Sequence, residues 1–188
     1  MKTAVIYNSQ TGFTKRYAEW ISQAVGADCF DFRIAKKKSF DLYDALVFGG
    51  WVCAGGVSKI SWLRSKLDRW SGKTVIAFCT GGSPAESPEI EAFLNRNFSG
   101  DEWKRVPVFY CPGGFCYEKM PAGSKLMMKF FRKMVEGKKN KTEADEEMLK
   151  MIAHSYDISD KKYIEPIVKL LHDACNKQCG TKHIADRI

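Results

Sequence analysis

Three hydroxyls, an amide and a glycine fall within six residues, Ser9-Gln10-Thr11-Gly12-Phe13-Thr14. An apolar run, Thr3 to Tyr7, precedes them, and a helical pattern starts near Phe13. The order predicts a strand, a tight turn and a helix N-terminus. A helix's first turn presents unbonded N–H groups and the positive end of its dipole, so an anion there is stabilised. Gly12 lets the backbone approach a ligand closely. Ser9, Thr11 and Thr14 add hydroxyls and Gln10 an amide, while Lys15 and Arg16 come only after the turn. This is the chemistry of a phosphate held largely by neutral donors. The plainer alternative is an ordinary turn with Thr11 or Thr14 as N-cap, which uses one hydroxyl of the three. Neither Gly-x4-Gly-Lys-Ser/Thr nor a post-strand Gly-x-Gly-x-x-Gly is present, so triphosphatase and dinucleotide loops are not supported.

Periodicity supplies the elements that must position this turn. Strands are expected at Thr3–Tyr7, Asp28–Phe32, Ala45–Phe48, Thr74–Cys79 and Val106–Tyr110, each short and apolar. Helical spacing predicts Phe13–Val25, Ser58–Trp70 and Pro88–Phe98 between them, then Ala122–Glu136, Thr142–Ala153 and Lys161–Cys175. Strands alternating with helices imply a parallel sheet covered on both faces. Ligands of such sheets bind beyond the carboxyl ends of the strands. The loops after the first, third, fourth and fifth strands should therefore converge. Three of them carry paired glycines: Gly49-Gly50, Gly81-Gly82 and Gly113-Gly114.

Composition narrows the class. The chain has 188 residues, 45% hydrophobic, enough for one domain with a sizeable core. No apolar stretch reaches the ~18–20 residues that span a bilayer, and the opening strand leaves no room for a signal-peptide core. Seven scattered cysteines fit a reducing, cytoplasmic compartment better than a disulfide framework. The net charge is +8, but a basic block at 123–141 is followed by an acidic one at 142–160. The two can pair, and without a nucleic-acid motif no nucleic-acid partner is expected. His172, Cys175, Cys179 and His183 recur at helical spacing, yet zinc would need all four to converge, and no metal is expected.

The Ser9–Thr14 turn resembles the phosphate loop of flavodoxins, Ser/Thr-x-Thr-Gly-x-Thr, which binds the monophosphate of FMN. The order of elements and the loops after Phe48 and Cys79 are similar to that family over Met1 to Tyr110 and the last helix. The resemblance implies a three-layer α/β/α sandwich, a single flavodoxin-like domain over 1–188. Its five-stranded parallel sheet has the order 2-1-3-4-5, with a helical insertion at about 115–158. It implies FMN as cofactor, with Ser9, Gln10, Thr11, Gly12, Phe13 and Thr14 around the phosphate. Trp51 is then placed to stack on the ring. Val52, Cys53, Ala54 and Gly55, with Thr80, Gly81 and Gly82, approach the ring edge; Phe115 and Tyr117 lie in the next loop and could close the site. Cys53 and Cys116 fall beside the same site, where a redox role competes with plain burial.

The insertion is similar to that of flavodoxin-like, menaquinone-dependent protoporphyrinogen dehydrogenases, through Phe130-Phe131-x-Lys133-Met134 and Tyr156-Asp157-Ile158-Ser159-Asp160. That subfamily has Ser-x-Arg-Tyr-Gly where this chain has Trp51-Val52-Cys53-Ala54-Gly55, and a tryptophan where Lys161 stands. The resemblance implies an FMN-dependent oxidoreductase passing electrons to a quinone-like or other small acceptor, without fixing a porphyrin substrate. A non-enzymatic electron carrier serving a protein partner and a redox-inactive binding scaffold are the alternatives. Helix Ala122–Glu136 is expected to pack on its own domain with Glu143–Glu147 neutralising its basic side. A lid, a partner surface and a peripheral membrane contact are the other readings of its amphipathic pattern.

Overall fold

The computed structural model describes the backbone of residues 1–185 and the side chains of residues 1–177. The strands are β1 (Thr3–Asn8), β2 (Asp28–Asp31), β3 (Ala45–Cys53), β4 (Gly56–Val57), β5 (Thr74–Gly81), β6 (Val108–Pro112), β7 (Gly114–Phe115) and β8 (Tyr156–Asp157). The helices are α1 (Phe13–Val25), α2 (Phe32–Ala35), α3 (Ile60–Arg64), α4 (Glu89–Asn97), α5 (Ala122–Glu136), α6 (Glu143–Met151) and α7 (Glu165–Ala185). Five strands pair in parallel in the order β2-β1-β3-β5-β6, the order expected for a flavodoxin-like sheet.

Alternate residues of each strand feed two cores, which is why the strands read as unbroken apolar runs. Val5, Val47, Ile76 and Phe78 pack against Tyr17, Ala18 and Ile21 of α1 and Ile167 and Leu171 of α7. Ala4, Ile6, Leu46, Phe48 and Ala77 pack on the other face against Leu63, Leu67, Trp70 and Trp103. Register keeps the layers aligned: Val5 sits opposite Val47, and Val47 opposite Ile76.

Five expected elements differ in kind, in place or by more than two residues at an end; the last helix, expected over Lys161–Cys175, opens as a 3-10 turn over Lys161–Ile164 and runs as α7 to Ala185. The second strand stops at Asp31, whose carboxylate accepts from Arg33 N and caps the one-turn α2; Phe32 turns inward onto Trp62, ring centroids 5.3 Å apart. The third strand does not end at Gly49-Gly50 but runs to Cys53. A Cβ on Gly49 would lie 2.1 Å from Phe78 Cζ, and one on Gly50 2.6 Å from Ser58 O. These glycines answer to packing rather than to a turn. Helix Ser58–Trp70 is regular only over Ile60–Arg64, after which the chain tightens through bonds such as Lys66 N to Leu63 O and Leu67 N to Arg64 O. Ile60, Leu63, Leu67 and Trp70 still reach the core. The fifth strand is displaced to Val108–Pro112, because Val106 is used as a buried plug beside Trp103.

The insertion leaves the sheet and returns to it through one small ladder. Strands β7 and β8 pair antiparallel, Gly114 with Asp157 and Phe115 with Tyr156. Between them lie α5 and α6, the latter started by a capping box in which Thr142 and Asp145 exchange bonds. Among the described residues, no helix is long and apolar enough to cross a membrane.

Candidate functional site

The turn after β1 leaves the N-terminus of α1 without a side-chain cap. Gly12 is the N-cap of α1 at φ 109°, a conformation that favours glycine, and no side chain caps the helix. No acidic residue lies in its first turn. Gly12 N donates to Ser9 Oγ at 3.2 Å, so Ser9 folds the turn. Neither Thr11 nor Thr14 acts as the N-cap. Thr14 is buried with its Oγ1 2.7 Å from Thr80 Oγ1. Of that pair, the accepting hydroxyl keeps its own proton for a ligand. Both cations after the turn are engaged: Lys15 reaches Glu19 at 3.6 Å, and Arg16 pairs with Asp157 and donates to Ser159 Oγ at 2.6 Å.

A cleft of ≈ 390 Å³ opens at the carboxyl ends of β1, β3 and β5. Its base brings together Gln10, Thr11, Phe13 and Thr14 from the turn. One wall is Trp51 to Gly55, another Thr80 to Gly82, at the carboxyl ends of β3 and β5 and largely within the strands rather than in the expected loops. Ser9 and Gly12 shape the turn without lining the cleft. Phe115 lines it, and Tyr117 stacks behind Phe115 with centroids 6.2 Å apart. Cys53 lines it too, whereas Cys116 lies off it and bonds Glu118. Two further thiols are structural: burial pushes Cys79 up to about 12 and raises Cys111, so both stay protonated at neutral pH.

The Trp51 wall is a hairpin rather than a free loop. Val52 pairs with Val57 and Cys53 with Gly56, leaving Ala54-Gly55 as a two-residue turn. Ser58 Oγ accepts from Trp51 N and from Asn8 Nδ2, each at 3.0 Å, which ties the wall to the end of β1. Ala54 and Gly55 have φ of 48° and 78°. Two positive φ values are the demand of a type I′ turn, which Asn-Gly meets best. Ala54→Asn is therefore expected to raise the unfolding free energy by about 0.5–1 kcal/mol, read as a higher urea midpoint at unchanged slope.

The remaining wall is α5, whose expected packing on its own domain holds along one face only, where Val135 is buried. Ser124, Met127, Met128 and Phe131 face the cleft, joined by Met120. Leu126, Phe130 and Met134 face outward and are exposed. The ion pairs of this stretch are Arg132 with Glu136 and Lys138 with Asp145, not a general neutralisation by Glu143–Glu147. Ser124 Oγ donates to Gln10 Oε1 at 3.2 Å, so the helix is latched to the turn after β1. Arg16 and Asp157 form a second tie between that turn and the insertion. Burial raises the Asp157 carboxyl, but Ser159 and Arg16 outweigh it and hold the group below its ordinary value. The tie therefore persists at neutral pH.

Sequence reasoning missed Ser58 and Asn8 as positioning residues, since lone polar residues carry no periodic signal. It also missed Tyr156, whose hydroxyl donates to Gly82 O at 2.7 Å, and Tyr110, which donates to Ser83 O at 2.8 Å. Among the described residues there is no cluster of His, Cys, Asp or Glu that could hold a metal ion. Cys179 and His183 of the C-terminal quartet lie outside the described side chains.

A family model described as a flavodoxin domain matches residues 4–142. No curated protein matches the chain. Among solved structures, a flavodoxin from the domain Archaea aligns at 16% identity over 82% of this chain and 100% of its own, with a TM-score of 0.41. Oxidised flavodoxin 2 from Bacillus cereus aligns at 15% identity over 58% and 84%, TM-score 0.42. A flavoprotein in complex with FMN from Lactobacillus acidophilus NCFM aligns at 17% over 59% and 91%, TM-score 0.37. With the family match covering more than half of its length, the chain belongs to the flavodoxin domain family.

Proposed function

We propose that this protein is an FMN-dependent oxidoreductase whose electron acceptor is small, flat and largely apolar, of the quinone type. The observation that carries the reading is the junction of an uncapped helix N-terminus with an apolar cleft under a helix. The residues present fit FMN. The turn offers N–H groups and the Thr11 hydroxyl to a phosphate without a competing carboxylate. Trp51 and Phe115 offer aromatic surface to a planar ring. FMN, when bound, supplies the redox chemistry. The chain's part is to hold the phosphate, clamp the ring and keep water off it with the Met and Phe face of α5.

The same helix favours a small acceptor over a carrier role, because a protein partner would meet α5 before the cleft. The insertion also supports kinship with the menaquinone-dependent protoporphyrinogen dehydrogenases. The departures at Trp51–Gly55 and Lys161 leave a porphyrinogen as a substrate to assay rather than to assume.

Titration with FMN tests the cofactor. Saturable quenching of flavin emission at one equivalent is expected; no binding at high micromolar FMN by a folded protein would sink the reading. Reoxidation of the reduced flavoprotein by a soluble benzoquinone, faster than by a redox protein, would separate enzyme from carrier. Trp51→Ala should lower FMN affinity about tenfold or restore emission from bound flavin, since an aromatic stack contributes ≈ 0.5–1.5 kcal/mol beyond its buried area. Unchanged affinity and emission would mean that Trp51 only packs.

A further inference from the structure

We infer that the outer face of α5 is a docking surface for an anionic lipid bilayer. Leu126, Phe130 and Met134 recur once per turn along this face and are 55%, 65% and 61% exposed. Met127 lies at their edge, 43% exposed, and also lines the cleft. The apolar surface thus runs without a break from the outside of the helix into the cleft mouth. Large apolar side chains left contiguous on a surface mark an interaction site.

The charges beside this row identify what covers it. Lys125, Lys129 and Lys133 form a parallel row, one residue behind each apolar position. All three are exposed, and Lys129 and Lys133 make no ion pair among the described residues. Lys139 and Lys141 continue the basic stretch past the helix, and Glu136 is the single acid from 123 to 141. A line of lysines parallel to an apolar line matches a planar anionic surface, with side chains entering the acyl boundary and ammonium groups at the headgroups. Protein interfaces, by contrast, are depleted in lysine. Each lysine at such a surface strengthens partitioning about fivefold. Docked this way, α5 sets the cleft mouth against the bilayer. The inference needs no bound flavin, so it stands or falls apart from the proposed function.

Flotation of the full chain with vesicles tests it. One set is phosphatidylcholine alone and the other contains about one quarter phosphatidylglycerol, at about 50 and 500 mM NaCl, where screening differs several-fold. Binding to the anionic set at low salt is expected to be at least tenfold tighter than to the neutral set, and to fall at least tenfold at high salt. Phe130→Ser with Met134→Ser should lose at least tenfold, as should Lys129→Glu with Lys133→Glu. These positions are exposed, so the circular dichroism and thermal unfolding midpoint of each variant should match the parent and serve as the folding control. No binding to anionic vesicles at low salt overturns the inference. So does unchanged binding by the Phe130/Met134 variant, which would leave only a diffuse charge effect. A lipid-free dimer abolished by that variant would also overturn it, by assigning the face to a second copy of the chain.

Discussion

Thr11→Asp is expected to weaken FMN binding at least a hundredfold while leaving the fold as stable as before or slightly more so. Thr11 is half-buried, lines the cleft and sits just before the N-cap Gly12. A carboxylate there faces the same uncapped N–H groups that the phosphate would use. It therefore competes for them and repels the anion. Two unit charges about 5 Å apart at an effective dielectric of 20 repel by roughly 3 kcal/mol, which alone exceeds a hundredfold. The sign for folding is opposite. An acid at the positive end of a helix dipole stabilises by roughly 0.3–1 kcal/mol, and the first turn of α1 has no acid now. Calorimetric titration with FMN and with riboflavin separates the causes, since riboflavin lacks the phosphate. A large loss for FMN with a small loss for riboflavin fits the reading. Equal losses would move the effect from the phosphate to the cleft, and no loss for FMN would place the phosphate elsewhere.

Thr11 is the informative position because Thr14 is not what its motif implied. Spacing marks Thr14 as one more hydroxyl of the turn. In three dimensions it is buried against Thr80 of the fourth parallel strand. Thr14→Ala would strip Thr80 of its partner as well as the ligand of a donor. An orphaned buried hydroxyl costs roughly 1–3 kcal/mol of stability, so such a variant mixes folding with binding. Which hydroxyls of a turn meet solvent depends on a strand that arrives sixty residues later, and no local pattern records that.

What was legible followed from local periodicity. Val5, Val47 and Ile76 belong to apolar runs that only a doubly covered strand explains, and the crossover helices between them fix a parallel sheet. The cleft followed too, because loops at the carboxyl ends of such strands must meet. What was hidden depended on contacts between distant segments. Gly49-Gly50 looked like a strand end because glycine usually breaks strands; here the Phe78 ring and the Val57-Ser58 segment fill the space of the missing side chains. Helix α5 shows one amphipathic stripe in sequence, yet the fold divides it. Val135 is buried, Met128 and Phe131 turn to the cleft, and Leu126, Phe130 and Met134 turn out. Periodicity says that a helix has an apolar face; the segment before it decides which part of that face is used.

That segment is where a single methyl group should do the most damage. Gly114 stands at φ 142° in β7, and a Cβ there would lie 2.1 Å from Tyr156 O and 3.0 Å from Tyr156 C. Those are backbone atoms of the partner strand, so no side-chain rotation relieves the clash. Gly114→Ala should break the β7–β8 ladder, and with it the base of the insertion. Three other ties run close by: Tyr156 to Gly82 O, Ile158 N to Gly113 O, and Asp157 to Arg16. Displacing β8 strains all of them together, so the loss should reach about 3 kcal/mol or more for this subdomain. The parallel sheet need not follow, since its two cores draw on β1, β3, β5, α1, α2, α3 and α7, with Cys111 of β6, and on neither β7 nor β8. Hydrogen exchange should then show amides of 115–158 opening at least a hundredfold more often, with β1, β3 and β5 still protected. FMN affinity should fall at least tenfold as the α5 wall leaves the cleft. Gly123→Ala, where a Cβ meets nothing within 4 Å, is the control and should slow opening of α5, because alanine favours a helix over glycine by about 1 kcal/mol. If Gly114→Ala instead leaves the insertion protected, β7–β8 is not what holds α5 over the cleft. If it unfolds the sheet as well, the insertion and the sheet form one cooperative unit.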